Sequence, residues 1–171
     1  MALRTGARAD SRVAPPARGT ILAIDYGRKR FGLALASFQA RLANPLGILP
    51  RKNRREDLRR LRDLARKHAV KTIVVGLPLR TDGARGDMAV EAERFAARLR
   101  KHTALSVEMQ DERLTSFAAQ QLVARNNASR GGPQLPRMGG SRRAGQFVDA
   151  IAAALILRDY LERAPSGKEP E

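Results

Sequence analysis

Three acidic positions, far apart along the chain, have the surroundings that metal-assisted chemistry requires: Asp25, the pair Asp111 and Glu112, and Asp149. Ile21-Leu22-Ala23-Ile24 is an unbroken apolar run, the signature of a strand buried on both faces. It stops at Asp25, two residues before Gly27. An ionised carboxylate at the mouth of such a strand is costly unless a positive group compensates it. Hard divalent cations do so well, because they prefer carboxylate oxygens. The plainer reading of Asp25 is a residue that opens the turn Asp25-Tyr26-Gly27-Arg28 through its own backbone. Leu105, Val107 and Met109 alternate with Ser106, Glu108 and Gln110, which predicts a half-buried strand running into Asp111 and Glu112. Neighbours on a strand point oppositely, so one of the pair is the candidate ligand, and alternation that can break at a strand end leaves both open. Asp149 sits among Phe147, Val148, Ile151, Leu155 and Ile156, with Ala at 150 and 152–154. A helix apolar around most of its circumference is a buried one. Its lone carboxylate must be paired, protonated or bound to a metal. Complementing the helix dipole, if Asp149 lies in the first turns, is the plainer reading.

Carboxylates converging from two strand ends and a helix are what Mg²⁺ or Mn²⁺ binding asks for. The charge balance supplies the partner class. Among 171 residues there are 33 Lys and Arg against 17 Asp and Glu, a formal charge of +16. Arg predominates, and Arg pairs bidentately with phosphate. Such an excess is an electrostatic footprint for nucleic acid. Phosphodiester hydrolysis by in-line displacement is the natural reaction, one ion activating water and another stabilising the leaving oxygen. Arg28, Lys29 and Arg30, directly after Asp25, are expected on the phosphates. With no Trp, two Tyr and five Phe, backbone recognition fits better than a base-stacking platform. The absence of cysteine excludes thiolate chemistry and a Cys-based zinc site. His68 and His102 fall near predicted helix ends, as capping or surface residues rather than general bases. Asp82-Gly83 lacks the Gly-Lys-Thr/Ser ending of a phosphate loop, which speaks against ATP binding. No apolar run approaches the ~20 residues of a membrane span, and the expected location is the cytoplasm.

The elements that must position these groups follow from the changing period. Residues 1–19 read as a flexible basic tail, 20–163 as one domain and 164–171 as a short polar tail. Strands are predicted after the first at 31–37 and 44–49, with Pro45 marking an edge. A helix follows, opened by Asn53 and Glu56 and striped by Leu58, Leu61, Leu64 and Ala65. The strand Thr72 to Gly76 comes next, then a helix marked by Met88, Ala92, Phe95, Ala96 and Leu99. A short helix from Thr115 or Ser116 to about Arg125 and a Gly/Arg-rich loop at 126–145 precede the last helix, which starts near Ser141 to Gly145, ends near Arg163 and has an apolar surface that could contribute to a homodimer. The order β-β-β-α-β-α-β-α-α describes an α/β fold, one mixed sheet with helices on both faces.

Four blocks in this order resemble the motifs of the YqgF/RuvX family: Ile21 to Arg30, Val74 to Leu79, Asp111 to Ser116 and Val148 to Ala153. These are bacterial Holliday-junction-resolvase-like nucleases of the RNase H-like fold, also described as pre-16S rRNA nucleases. The likeness runs from about residue 20 to 162. It implies a five-stranded mixed sheet, three antiparallel strands then two parallel, flanked by helices. It further implies divalent-metal-dependent nuclease activity, trimming of the 5′ end of small-subunit ribosomal RNA precursor, and Asp25, Glu112 and Asp149 as the catalytic carboxylates, thereby selecting Glu112 over Asp111. Arg113 and Thr115, inside the third block, join Arg28, Lys29 and Arg30 as expected nucleic-acid contacts. The family's Lys just before the last Asp is missing, which leaves Arg142 or Arg143 to replace it from a turn away. Cleavage of four-way DNA junctions, a silent RNA-binding assembly factor and an RNase H-like phosphotransferase are the alternatives.

Overall fold

The computed structural model describes residues 19–78, 83–112 and 141–164, with 141–147 described by backbone alone. Within them the chain forms β1 (Thr20–Tyr26), β2 (Arg30–Ser37), β3 (Leu42–Pro50), α1 (Arg54–Lys67), β4 (Val70–Leu77), α2 (Asp87–Thr103), β5 (Ser106–Asp111) and α3 (Ser141–Arg163). The sheet order is β3-β2-β1-β4-β5. The first three strands form an antiparallel meander, and β4 and β5 add to β1 in parallel. This is the expected mixed sheet. β1 is central and apolar because it is covered on both faces. β3 lies at the edge, where Pro45 costs no ladder bond to a further strand, and the pairing slips beside it between Leu33 and Ala34.

Strand alternation divides the sheet into two cores. Leu22, Ile24, Phe31, Leu33, Ile73, Val75 and Val107 face α1 and α2, where they meet Leu61, Ala65, Phe95 and Leu99. Ile21, Ala23, Ala34, Ala36 and Val74 face the other way, against Ala153, Ile156, Leu157 and Leu161 of α3. Helices on both faces follow. Ala153, Ile156, Leu157 and Leu161 of α3 are therefore buried against the sheet, while Ile151 and Ala154 stay partly exposed.

Asn53 caps α1 by accepting the Glu56 N–H at 2.9 Å, while the Glu56 carboxylate pairs with Lys52 instead of closing the box. α3 begins at Ser141, at the early end of its expected start, and takes in the last five residues of the 126–145 loop; the rest of that loop lies outside the described residues. The predicted helix at 115–125 and both predicted tails, apart from Gly19 and Ala164, lie outside the described residues. Among the described residues, no helix is long and apolar enough to cross a membrane.

Candidate metal and nucleic-acid site

The register of the sheet assembles the site. On β1, Asp25 follows Ile21 and Ala23 onto the α3 face, and its cross-strand partner on β2 is Gly32. Gly32 carries no side chain where α3 crosses: a Cβ there would collide with the Asp149 carbonyl. The missing methyl lets the helix backbone settle on the sheet beside Asp25. On β4, Gly76 follows Val74 onto the same face, and a Cβ at Gly76 would collide with the Glu112 carboxylate and the Ile156 side chain. Two glycines thus hold open the space into which a helix residue and a strand-end residue lean.

The same geometry separates Asp111 from Glu112. Val107 and Met109 pack in the α1/α2 core, and alternation carries Asp111 to their side. The Glu112 N–H donates to the Leu77 carbonyl at 3.2 Å, so parallel pairing with β4 extends one residue beyond β5. Glu112 therefore keeps the strand's alternation and joins Asp25 and Asp149. Asp25 lies inside β1, not at the head of a turn, which removes its plainer reading. Asp149 lies more than two turns inside α3, beyond the reach of a helix-terminus effect, which removes its plainer reading too.

Asp25 stands between the other two. Burial, followed by the charge of Asp149, raises the Asp25 carboxyl to about 6, with Arg30 partly opposing the rise. Burial, followed by the charges of Asp25 and then Asp111, raises Glu112 to about 8. Glu112 Oε1 is buried without a hydrogen-bond partner. Among the described residues no group of three or more His, Cys, Asp or Glu side chains is placed to hold a metal ion. What is present is an all-oxygen donor set with an excess of negative charge and an orphaned carboxylate oxygen. That chemistry fits a hard divalent cation.

The expected phosphate contacts divide into several groups. Arg28, Lys29 and Arg30 line an open cleft of about 550 Å³ with Asp25, Tyr26, Gly27 and Asp149. Arg28 pairs with Glu91 of α2 at 2.8 Å, beside this cleft, and within it Arg30 pairs with Asp149 through Nε. Arg142 and Arg143 fall in the first turn of α3, whose side chains there are outside the description, and Arg113 and Thr115 are outside it altogether.

Sequence reasoning missed the support behind the cleft. Asp57 of α1 is 1 % exposed. It accepts from Arg51 Nε at 3.1 Å and from the Lys52 N–H at 3.0 Å. Arg51 Nη1 reaches the Tyr26 hydroxyl at 3.1 Å and the Gly27 carbonyl at 3.0 Å, and its guanidinium lies over the rings of Tyr26 and Phe31. Those rings pack with Phe95, so the aromatics serve the core and not base stacking. The network fixes the backbone immediately after Asp25. Its signal was available, since Asp57 precedes Leu61 by one helical turn and so falls on the apolar stripe.

Residues 19–163 match the family model described as "RuvX: Holliday junction resolvase". The chain belongs to the RuvX family. Its similar relatives include a "Putative pre-16S rRNA nuclease" of Koribacter versatilis, 39% identical over 88% of this chain and 92% of that one. Another of the same name, from Anaeromyxobacter sp. (strain K), is 41% identical over 83% of this chain and 96% of its own. Among solved structures, the RuvX fold is similar to that of Thermus thermophilus RuvC in complex with a Holliday junction substrate. The TM-score is 0.51 at 12% identity, over 85% of this chain and 98% of that one. The yeast mitochondrial Holliday junction resolvase Ydc2 gives 0.50 at 16% identity, over 89% and 80%. At these identities the likeness establishes the RNase H-like fold of resolvases and nothing finer.

Proposed function

We propose that this RuvX-family nuclease is a Mg²⁺- or Mn²⁺-dependent phosphodiester hydrolase that matures the 5′ end of pre-16S ribosomal RNA. The observation that carries the chemistry is the placement of Asp25, Glu112 and Asp149 on one sheet face, with Gly32 and Gly76 clearing the space between them. Asp25, Glu112 and Asp149 would hold the cation, which supplies activation of water and charge stabilisation at the phosphate. Gly32 sets how closely Asp149 approaches Asp25, and Gly76 gives the Glu112 carboxylate its seat. Lys29 and the neighbouring arginines draw the phosphate backbone into the cleft. Tyr26, Gly27 and Arg51 keep the cleft floor rigid while this happens. No protein nucleophile is required, in keeping with the absence of cysteine. The ribosomal substrate is supported by the names of relatives that match most of the chain, and it would place the enzyme in the cytoplasm.

Cleavage should be followed on a 16S precursor, on single strands and on a four-way DNA junction, each with and without Mn²⁺. The expected outcome is Mn²⁺-dependent trimming of the precursor, reduced roughly 100-fold or more by Asp25→Asn or Asp149→Asn. Cleavage that survives Asp149→Asn would place the chemistry elsewhere. Preference for the junction, by a protein that sediments as a symmetric dimer, would replace the ribosomal reading with resolution.

A further inference from the structure

Arg30 is the first residue of β2, and alternation through Gly32, Ala34 and Ala36 puts it on the face covered by α3. Its Nε donates to Asp149 Oδ2, and its charge holds down the rise of the Asp25 carboxyl. One guanidinium therefore serves two of the three acids on this face. The backbone that carries it is fixed, because the Arg30 carbonyl occupies the space that a Cβ at Gly27 would need. The side chain is differently placed: Arg30 and Asp149 side chains are 41% and 25% exposed, so the pair lies at the mouth of the cleft. The neighbouring arginines are committed elsewhere, Arg28 to Glu91 and Arg51 to Asp57, Tyr26 and the Gly27 carbonyl.

Carboxylates that are ionised in such a cleft favour a positive charge beside them, and two positive charges on one carboxylate repel each other. We infer that Arg30 is an internal counter-ion that holds the place of the divalent cation on Asp149, and that cation binding sends its guanidinium outward to meet a substrate phosphate. This deepens the metal-dependent reading above and rests on it. Cation and guanidinium then compete for one oxygen acceptor. The cation thereby primes the cleft for nucleic acid, since the displaced planar donor is suited to bidentate phosphate contact. By linkage, bound nucleic acid would in turn favour the cation.

Calorimetric titration of Mn²⁺ into the intact protein, Arg30→Gln and Arg30→Lys separates the possibilities, with Asp149→Asn as reference. Arg30→Gln is expected to bind Mn²⁺ roughly tenfold more tightly, because the competing charge is gone. Its metal-stripped form should melt lower than the unsubstituted protein and gain more from added Mn²⁺. Arg30→Lys, which retains the charge, should stay close to the unsubstituted protein. Unchanged or weaker Mn²⁺ binding by Arg30→Gln overturns the counter-ion role while leaving the metal site standing. Absence of Mn²⁺ binding in every form overturns both. Should Arg30→Gln not fold, the Arg30 Nε–H resonance of the unsubstituted chain, identified by its loss in Arg30→Lys, gives the same answer. It should move and lose its protection from exchange as Mg²⁺ is added. A resonance that stays fixed through a saturating titration overturns the proposal.

Discussion

Asp25 and Glu112 are held at about 6 and about 8, above the ordinary carboxylate range, and this sets how the metal-stripped protein responds to pH. Burial is the main cause for both; the second is Asp149 for Asp25, and Asp25 for Glu112. In the unfolded chain both carboxyls titrate near 4. The folded state therefore holds more protons between about pH 4 and pH 8. Stability from the neutral carboxyls is complete below about pH 4 and is lost as pH rises through 6 and then 8. The melting temperature of the metal-stripped protein should accordingly fall between about pH 4 and pH 8, with a flatter profile in Asp25→Asn and Glu112→Gln. A profile that rises over this interval would contradict the arrangement. Near pH 7 the same groups should release about one proton when Mg²⁺ binds. Calorimetry in buffers of different ionisation enthalpy measures that release.

At the scale of elements, two glycines do different work. A methyl at Gly32 meets the backbone of α3, which cannot yield without moving the helix; a methyl at Gly76 meets the ends of two side chains, Glu112 and Ile156. Gly32→Ala should therefore lower both stability, by roughly 1–3 kcal/mol, and Mn²⁺ affinity. Gly76→Ala should cost less stability and still weaken Mn²⁺ binding at least about tenfold by displacing a carboxylate. Thermal denaturation beside calorimetric titration tests the contrast, and equal stability losses would refute it. These same elements mark how far the sequence could be read. The sheet was legible because each strand is a short apolar or alternating run, and Asp25 and Asp149 because each interrupts one. Alternation left Asp111 and Glu112 open and only the family resemblance chose Glu112; the extra pairing to Leu77, which no local pattern carries, is what turns Glu112 to the α3 face. Gly32 and Gly76 looked like ordinary weak points in strands until the helix crossing above them was known. Asp57 was passed over because a helix's polar residues are ordinarily on its solvent face, whereas this one is buried with Arg51.

For the molecule as a whole, the charge of +16 is the dominant long-range property. It draws polyanions from any direction, while the cleft admits only what fits between Lys29, Arg30 and α3. Binding to a cleavage-resistant strand should then depend steeply on ionic strength, weakening about a thousandfold between roughly 50 and 200 mM salt. Filter binding or anisotropy across that range measures the slope, and a shallow one would mean that few phosphates are engaged.

The acids come from separate parts of the architecture. Asp25 belongs to a local hairpin with Gly32, whereas Asp149 arrives only when α3 docks on that hairpin. On the proposed mechanism the set of acids is therefore complete only in the fully packed fold, and loosening α3 from the hairpin would remove one of the three.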